Sequence, residues 1–118
     1  MEKNPAASCI FCKILAGTIP AKTVYSDESA VAFHDVNPQA PVHLLVIPRQ
    51  HFASVLEADE SFEPLLGHLC RVAAELARQF HITEGYRVVV NTGADAGQSV
   101  FHLHLHVLGG RHLAWPPG

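Results

Sequence analysis

Apolar and polar residues alternate along several short stretches of the chain, and this period of two predicts β-strands. The clearest alternation lies in residues 101–110, FHLHLHVLGG, where leucine and valine interleave with histidine. Further strands are predicted at 23–29 and 30–36, which a polar turn separates, at 43–48, an apolar run that ends in proline, and at 86–93. The chain is therefore predicted to contain five short strands.

A helical period of three and four residues runs through residues 57–80 and predicts one long helix. Pro64 suits the first turn of a helix, where a backbone N–H is not needed. A second, short helix is predicted over residues 9–17, with Ser8 as its N-cap and Gly17 as its end. Together these elements predict an α+β fold, in which the long helix covers one face of a meander-like antiparallel sheet.

Length and composition fit a single domain spanning residues 1–118, with 48% hydrophobic residues to form a core. The net charge of -3 argues against a nucleic-acid polymer as partner, but it leaves room for a single nucleotide. No apolar run approaches the roughly 20 residues of a membrane helix, so no membrane partner is expected. The N-terminal MEKNPAAS lacks an apolar leader segment. We therefore expect a cytoplasmic protein.

Three histidines, His102, His104 and His106, fall on one face of the last predicted strand. Protonated imidazoles side by side would repel, and neutral ones buried without partners would cost on the order of 1–3 kcal/mol each. The row therefore indicates either a metal site or nucleophilic and acid–base chemistry at a phosphorus or acyl centre. The preceding loop, with Gly97 and Ser99, offers backbone N–H groups of the kind that bind phosphate oxygens. This loop favours a phosphate held for attack by histidine.

The stretch HLHLHVL resembles the histidine triad motif, in which three histidines alternate with apolar residues, of the HIT superfamily. Residues 9–51, residues 86–111 and the terminal WPPG are similar to the Hint branch, the histidine triad nucleotide-binding proteins. The resemblance implies a five-stranded sheet that continues across a homodimer, with the tail 109–118 and its Trp115 near the partner's active site. It also implies binding of a purine mononucleotide and hydrolysis of nucleoside 5'-phosphoramidates through a nucleotidyl-histidine intermediate.

The same resemblance assigns roles to individual residues. His104 would be the nucleophile, His106 would contact the phosphate, His43 would orient and polarise the nucleophilic ring, and Ser99 would assist the leaving group. Asp35 would accept hydrogen bonds from the ribose hydroxyls. Around the phosphate, the pocket would be completed by Asn91, Gly97, Gln98 and Ser99. Around the base, it would be formed by Phe11, Ile19, Phe33 and Val36. Ordinary core packing is an alternative for each of these four apolar residues.

Cys9 and Cys12 have the C-x-x-C spacing of a zinc clamp or of a redox pair. Similarity to HIT proteins that bind a structural zinc suggests that His51 and His102 complete a Cys2His2 site, with no cofactor required for catalysis. Related proteins without these cysteines fold without metal, so a pair of ordinary thiols is the alternative.

Three other functions stay open at this stage. The chain could hydrolyse dinucleoside polyphosphates or transfer nucleotidyl groups, it could be a nucleotide-binding interaction module with incidental catalysis, or it could be a metal-dependent hydrolase. The serine at position 99 and the terminal WPPG favour the phosphoramidase.

Overall fold

A computed structural model describes residues 8–118, and the N-terminal segment used for the localisation prediction lies largely outside them. Five strands form one antiparallel sheet in the spatial order β1-β2-β3-β5-β4. The elements in chain order are α1 (Ile10–Leu15), β1 (Thr23–Ser26), β2 (Ala30–His34), β3 (Val42–Pro48), α2 (Glu63–Gln79), β4 (Tyr86–Val89) and β5 (Leu105–Gly109). The predicted α+β class and the five strands are confirmed. The predicted meander holds only from β1 to β3, because β5 inserts between β3 and β4.

The two faces of the sheet pack against different helices, and this explains why β2 and β3 are apolar on both faces. Ala32 and Val46 face α2, where they join Leu69, Leu76 and other buried residues of the main core. On the opposite face, Cys9 and Phe11 of the α1 region pack against the sheet in a smaller cluster. The strand residues of this cluster are Val31, Phe33, Leu45 and Ile47. No helix within residues 8–118 has the length and apolar character needed to cross a membrane.

Helix α2 begins six residues later than the sequence pattern predicts. Pro64 lies in the first turn of α2. Because proline has no N–H to donate to the carbonyl four residues earlier, a regular helix cannot extend far on the N-terminal side of Pro64. The preceding residues form two short 3-10 turns, Val55–Glu57 and Glu60–Phe62, and the Asp59 carboxylate caps the second turn by accepting from the Ser61 N–H. The apolar period from Leu65 onwards is confirmed as the buried face of α2.

The first helix is capped by a different residue from the one predicted. Cys9, not Ser8, is the N-cap of α1, and its Sγ accepts a hydrogen bond from the Cys12 N–H at 3.3 Å. Gly17, with φ of 80°, follows the C-cap residue Ala16 and ends the helix as predicted. Capping by Cys9 turns the thiols of Cys9 and Cys12 toward the same space.

Strand β5 starts at Leu105, so His102 and His104 precede the strand, contrary to the predicted range of 101–110. Pairing of β5 with β3 stops at Val46. Beyond that point the backbone hydrogen bonds between β3 and β5 end. Instead, Nε2 of the His102 side chain donates to the Pro48 carbonyl at 2.8 Å. The alternation of faces survives this break, because Leu103 and Leu105 still enter the main core while the histidines face the side of α1.

Candidate active site

His104, the central histidine, is held in a single hydrogen-bonding orientation. Its ring is buried, and its Nδ1 lies 2.8 Å from the backbone carbonyl oxygen of His102. A carbonyl oxygen can only accept, so Nδ1 carries the proton and Nε2 of the neutral ring carries the lone pair. Phe11 packs edge-on against the same ring, with centroids 5.1 Å apart. The fold therefore presents Nε2 of His104 as a potential nucleophile.

A second imidazole pair, His43 and His106, forms a directed hydrogen-bond chain. The Gln39 N–H donates to Nδ1 of His43 at 3.0 Å, which leaves the proton of the neutral His43 ring on Nε2. That Nε2 lies 2.9 Å from Nδ1 of His106 and donates to it. His106 must then carry its own proton on Nε2. The chain therefore ends in an N–H donor on a ring whose centroid is 5.0 Å from that of His104.

Burial keeps both imidazoles of this chain neutral near pH 7. Desolvation lowers the pKa of His43, and the Asp35 carboxylate opposes the shift. Desolvation also lowers the pKa of His106 to about 4, and the positive charges that His104 and His43 would carry act in the same direction. Neutral rings are what the directed chain requires, because a protonated His106 could not accept from His43.

Asp35 lies beside this chain at the end of β2. Its Oδ2 is 3.3 Å from Nε2 of His43 and 3.9 Å from Nδ1 of His106. Its Oδ1 accepts from the Asn37 N–H at 2.8 Å, which fixes the carboxylate in a turn. The carboxylate is held at the point where the imidazole pair meets an apolar cavity.

This apolar cavity, of about 740 Å³, lies between α1, the segment before β1 and the end of β2. Its wall includes four of the residues expected around the base and ribose, and also His43. The four are Ile19, Phe33, Asp35 and Val36. Its remaining wall is mostly apolar and includes Ile10, Ile14, Pro20, Pro38 and Pro41. Another cavity, of about 810 Å³, lies between the end of α2, β4 and the tail, and neither His43 nor any of His102, His104 and His106 lines it. We place the site at the smaller cavity because His43 and Asp35 open into it.

Two predicted pocket residues have other surroundings. Phe11 is not part of the cavity wall; it is buried between Phe33, His102 and His104, with ring centroids 5.1–5.9 Å away. The amide of Gln98 is buried and already engaged. Its Oε1 accepts from the Gly93 N–H, and its Nε2 donates to two backbone carbonyls. Gln98 therefore stabilises the glycine-rich loop and is not free to bind phosphate.

The other residues expected around the phosphate lie in the segment between β4 and β5. Gly97 adopts φ of +92°, a left-handed conformation that favours glycine, and Ser99 is exposed. Asn91 lies two residues beyond Val89, the last residue of β4, and Val89 pairs with His106. No hydrogen bond among the described residues joins Asn91 or Ser99 to the triad.

Cys9, Cys12, His51 and His102 converge in a separate cluster. Nδ1 of His102 lies 3.4 Å from the Cys9 sulfur and 3.5 Å from the Cys12 sulfur. Nδ1 of His51 lies 3.1 Å from Nδ1 of His102 and 3.3 Å from the Cys12 sulfur. All four potential ligand atoms lie within 4.8 Å of one another. Tetrahedral zinc, with bonds of about 2.0–2.3 Å, separates its ligand atoms by roughly 3.3–3.8 Å. The spacing of the four atoms fits such an ion.

The protonation of this cluster also fits a cation. Nε2 of His102 donates to the Pro48 carbonyl, so Nδ1 directs its lone pair toward the sulfurs. Burial, followed by the hydrogen bond and charge of Cys9, raises the pKa of Cys12 to about 11. A divalent cation reverses that shift by binding the thiolate. By contrast, the trio of Asp35, His43 and His106 is a poor metal site, because the Gln39 N–H keeps the proton on the Nε2 that would have to coordinate.

The sequence analysis missed two backbone groups that orient the histidines. These are the Gln39 N–H, which fixes His43, and the Pro48 carbonyl, which fixes His102. Backbone groups leave no side-chain signal in a sequence, and only the two prolines beside Gln39 and Pro48 itself hint at a restrained backbone there.

Comparison with known proteins identifies the family of the chain. Residues 16–113 match the family model of the HIT domain. An uncharacterized HIT-like protein of Synechococcus elongatus is 57% identical over 109 residues, which cover 92% of this chain and 96% of that protein. The crystal structure of a HIT family hydrolase from Legionella pneumophila has 46% identity and a TM-score of 0.92, covering 94% of this chain and 100% of that one. A histidine triad protein from Clostridium difficile has 40% identity and a TM-score of 0.88, covering 97% of each chain. The chain belongs to the HIT family and resembles its hydrolases.

Proposed function

We propose that this protein hydrolyses nucleoside 5'-phosphoramidates through a nucleotidyl-histidine intermediate. The observation that supports this most strongly is the unprotonated Nε2 of His104, held beside the N–H donor of His106. A nucleophile adjacent to a neutral donor suits attack on phosphorus, because the donor stabilises the phosphoryl oxygens as negative charge accumulates on them.

In the first step, Nε2 of His104 forms a bond to the α-phosphorus and the P–N bond breaks. The leaving nitrogen takes a proton from the Ser99 hydroxyl, which regains one from solvent, and it departs as an amine. The His102 carbonyl keeps its hydrogen bond to Nδ1–H of the ring, which becomes positively charged. Water then attacks the phosphorus and gives up a proton to solvent, the bond to Nε2 breaks, and the nucleoside monophosphate is released with the His104 lone pair restored.

His43 acts through His106 in this scheme. The sequence resemblance had it polarise the nucleophile directly, but its hydrogen bond goes to Nδ1 of His106. The result is an Nε2–H on His106 that points its proton at the phosphoryl group, as a neutral donor. Asp35 serves the ribose hydroxyls, and its negative charge is balanced by the N–H groups around it.

The nucleotide would lie with its base in the apolar cavity and its phosphate between the imidazoles and the glycine-rich loop. Ile19, Phe33 and Val36 cover the purine, and Asn91, Gly97 and Ser99 approach the phosphate. Val36 is fully exposed in the structure, so a bound base would shield it from water. Gln98 contributes by holding the loop.

Turnover of a substrate panel tests this function. We expect an adenosine or guanosine 5'-phosphoramidate to be hydrolysed to nucleoside monophosphate and amine much faster than a dinucleoside polyphosphate. The experiment compares kcat/KM for the two classes at neutral pH. Preference for the dinucleotide would identify a polyphosphate hydrolase, and binding of nucleoside monophosphate without turnover of either class would identify a binding module.

We also propose that Cys9, Cys12, His51 and His102 hold a structural zinc. Four protein ligands close a tetrahedral site, so the ion supplies cross-linking rather than an activated water. The four residues would join α1 to the segments that follow β3 and precede β5. No step of the reaction needs a cofactor.

A homodimer is the last part of this proposal. Three alternating apolar residues, Tyr86 and Val88 in the edge strand β4 and Val90 just beyond it, are each between 37% and 38% exposed. An apolar edge strand is a ready surface for pairing with a second copy, which would extend the sheet to ten strands. Trp115, 82% exposed in the tail, would then lie near the partner's site. We expect a dimer mass by sedimentation at micromolar concentration, and a monomer mass would contradict this expectation.

A further inference from the structure

The loop between β2 and β3 is anchored from outside the site by Arg111. The guanidinium of Arg111 donates to the Gln39 carbonyl at 3.0 Å and to the His112 carbonyl at 3.0 Å. Gly110, just before it, has φ of +92°, and a Cβ there would lie only 3.0 Å from Cβ of Pro41. The end of β5 and the loop therefore approach as closely as they do because residue 110 is glycine.

Gln39 links this anchor to the imidazole chain. Its carbonyl accepts from Arg111, and its N–H donates to Nδ1 of His43. Its side-chain Nε2 also donates to the Asn37 carbonyl at 3.0 Å. Both backbone polar groups of Gln39 are thus used, one by the arginine and one by the histidine.

The direction of the whole chain depends on the Gln39 N–H. A neutral His43 can place its proton on either nitrogen, and only a donor at Nδ1 forces the proton to Nε2. With the opposite tautomer, Nε2 of His43 would accept from Nδ1 of His106. Nε2 of His106 would then present a lone pair, which repels the phosphoryl oxygens, instead of an N–H.

We propose that Arg111 is a positioning residue for the reaction, acting through the Gln39 backbone to set the tautomers of His43 and His106. The expected change in kcat rests on the proposed function, whereas the expected change in the tautomers of His43 and His106 does not. Arg111 is exposed at the surface and belongs to neither the triad nor the cavity wall. Its contribution is to restrain the loop rather than to touch the substrate.

The first test is the tautomeric state in ligand-free protein, read from ¹⁵N shifts of the imidazole nitrogens at neutral pH. In the wild type we expect Nδ1 of His43 and Nδ1 of His106 to be unprotonated. In Arg111→Gln we expect both positions to become partly protonated. Arg78→Gln removes the same charge from an exposed arginine that pairs with Glu75, and it should leave the spectrum unchanged.

The second test is kinetic. Arg111→Gln should lower kcat for a nucleoside phosphoramidate about tenfold, as expected for loss of a group that orients a functional histidine. KM should change little, because the nucleotide contacts remain, and Arg78→Gln should match the wild type in both constants. If Arg111→Gln fails to fold, the same two measurements on Arg111→Met decide, since methionine keeps a long unbranched side chain but has no N–H to donate to the Gln39 carbonyl.

If a folded Arg111 variant keeps the wild-type tautomers of His43 and His106, the inference is wrong, whatever the substrate of the enzyme. A fall in kcat without a change of tautomer would also overturn it, because the arginine would then act by another route. Altered tautomers in a protein that turns over no phosphoramidate would leave the positioning role intact and reject only the proposed function.

Discussion

Replacing His104 by asparagine is expected to abolish turnover of nucleoside phosphoramidates, with kcat reduced by at least about 10⁴-fold. The asparagine amide can still donate to the His102 carbonyl, which preserves the local hydrogen bond, but it has no nucleophilic nitrogen lone pair. Affinity for a nucleoside monophosphate should stay close to that of the wild type. The measurements are single-turnover kinetics and calorimetric titration with the nucleotide.

His81→Asn is the matched control for this variant. His81 is exposed at the end of α2 and has φ of 59°, a conformation in which asparagine is well tolerated. Its turnover should equal that of the wild type. Substantial residual turnover in His104→Asn, in a preparation free of wild-type protein, would contradict the role of His104 as nucleophile.

Loss of the zinc ligand Cys9 should act mainly on stability. We expect Cys9→Ser to lose bound zinc and to melt roughly 10 °C lower, corresponding to about 2–3 kcal/mol of folding free energy. This is far less than the contribution of zinc in a small zinc finger, because the cores on both faces of the sheet remain. Activity per folded molecule should fall much less than in His104→Asn.

Cys70→Ser provides the control for thiol chemistry, since Cys70 is exposed on α2 and lies outside the cluster. It should keep about one zinc per chain and the wild-type melting temperature. Metal content and thermal melting of the three proteins decide the matter. Wild-type protein purified without chelators and free of zinc would reject the metal site and leave Cys9 and Cys12 as reduced thiols.

Strong periodic signals explain why the fold was largely predictable from the sequence. The helical apolar period from Leu65 to Ala77 indicates a helix that buries one face. The continuous apolar run of β3 indicates a strand that is buried on both faces. Strand order was not readable in the same way. Insertion of β5 between β3 and β4 is a long-range pairing, and the local pattern of either strand would suit an edge or a centre equally well.

Residues whose chemistry lies in the side chain could be singled out as site candidates from the sequence. The structure brings Cys9, Cys12, His51 and His102 together, but it places His43 against His106 rather than against the predicted nucleophile. Prediction failed where a side chain that could bind a ligand satisfies the backbone instead, as the Gln98 amide does. It also could not find the Gln39 N–H, since the direction of a backbone donor depends on tertiary structure.

Identification of the covalent intermediate is the most direct test of the central claim. The wild-type protein is mixed with a nucleoside 5'-phosphoramidate, quenched in base within a single turnover to preserve phosphohistidine, and digested for mass spectrometry. We predict a nucleoside monophosphate group attached to the peptide that contains His104, with fragmentation placing it on that residue. A nucleotidyl group on His106 or on any other residue would contradict the account.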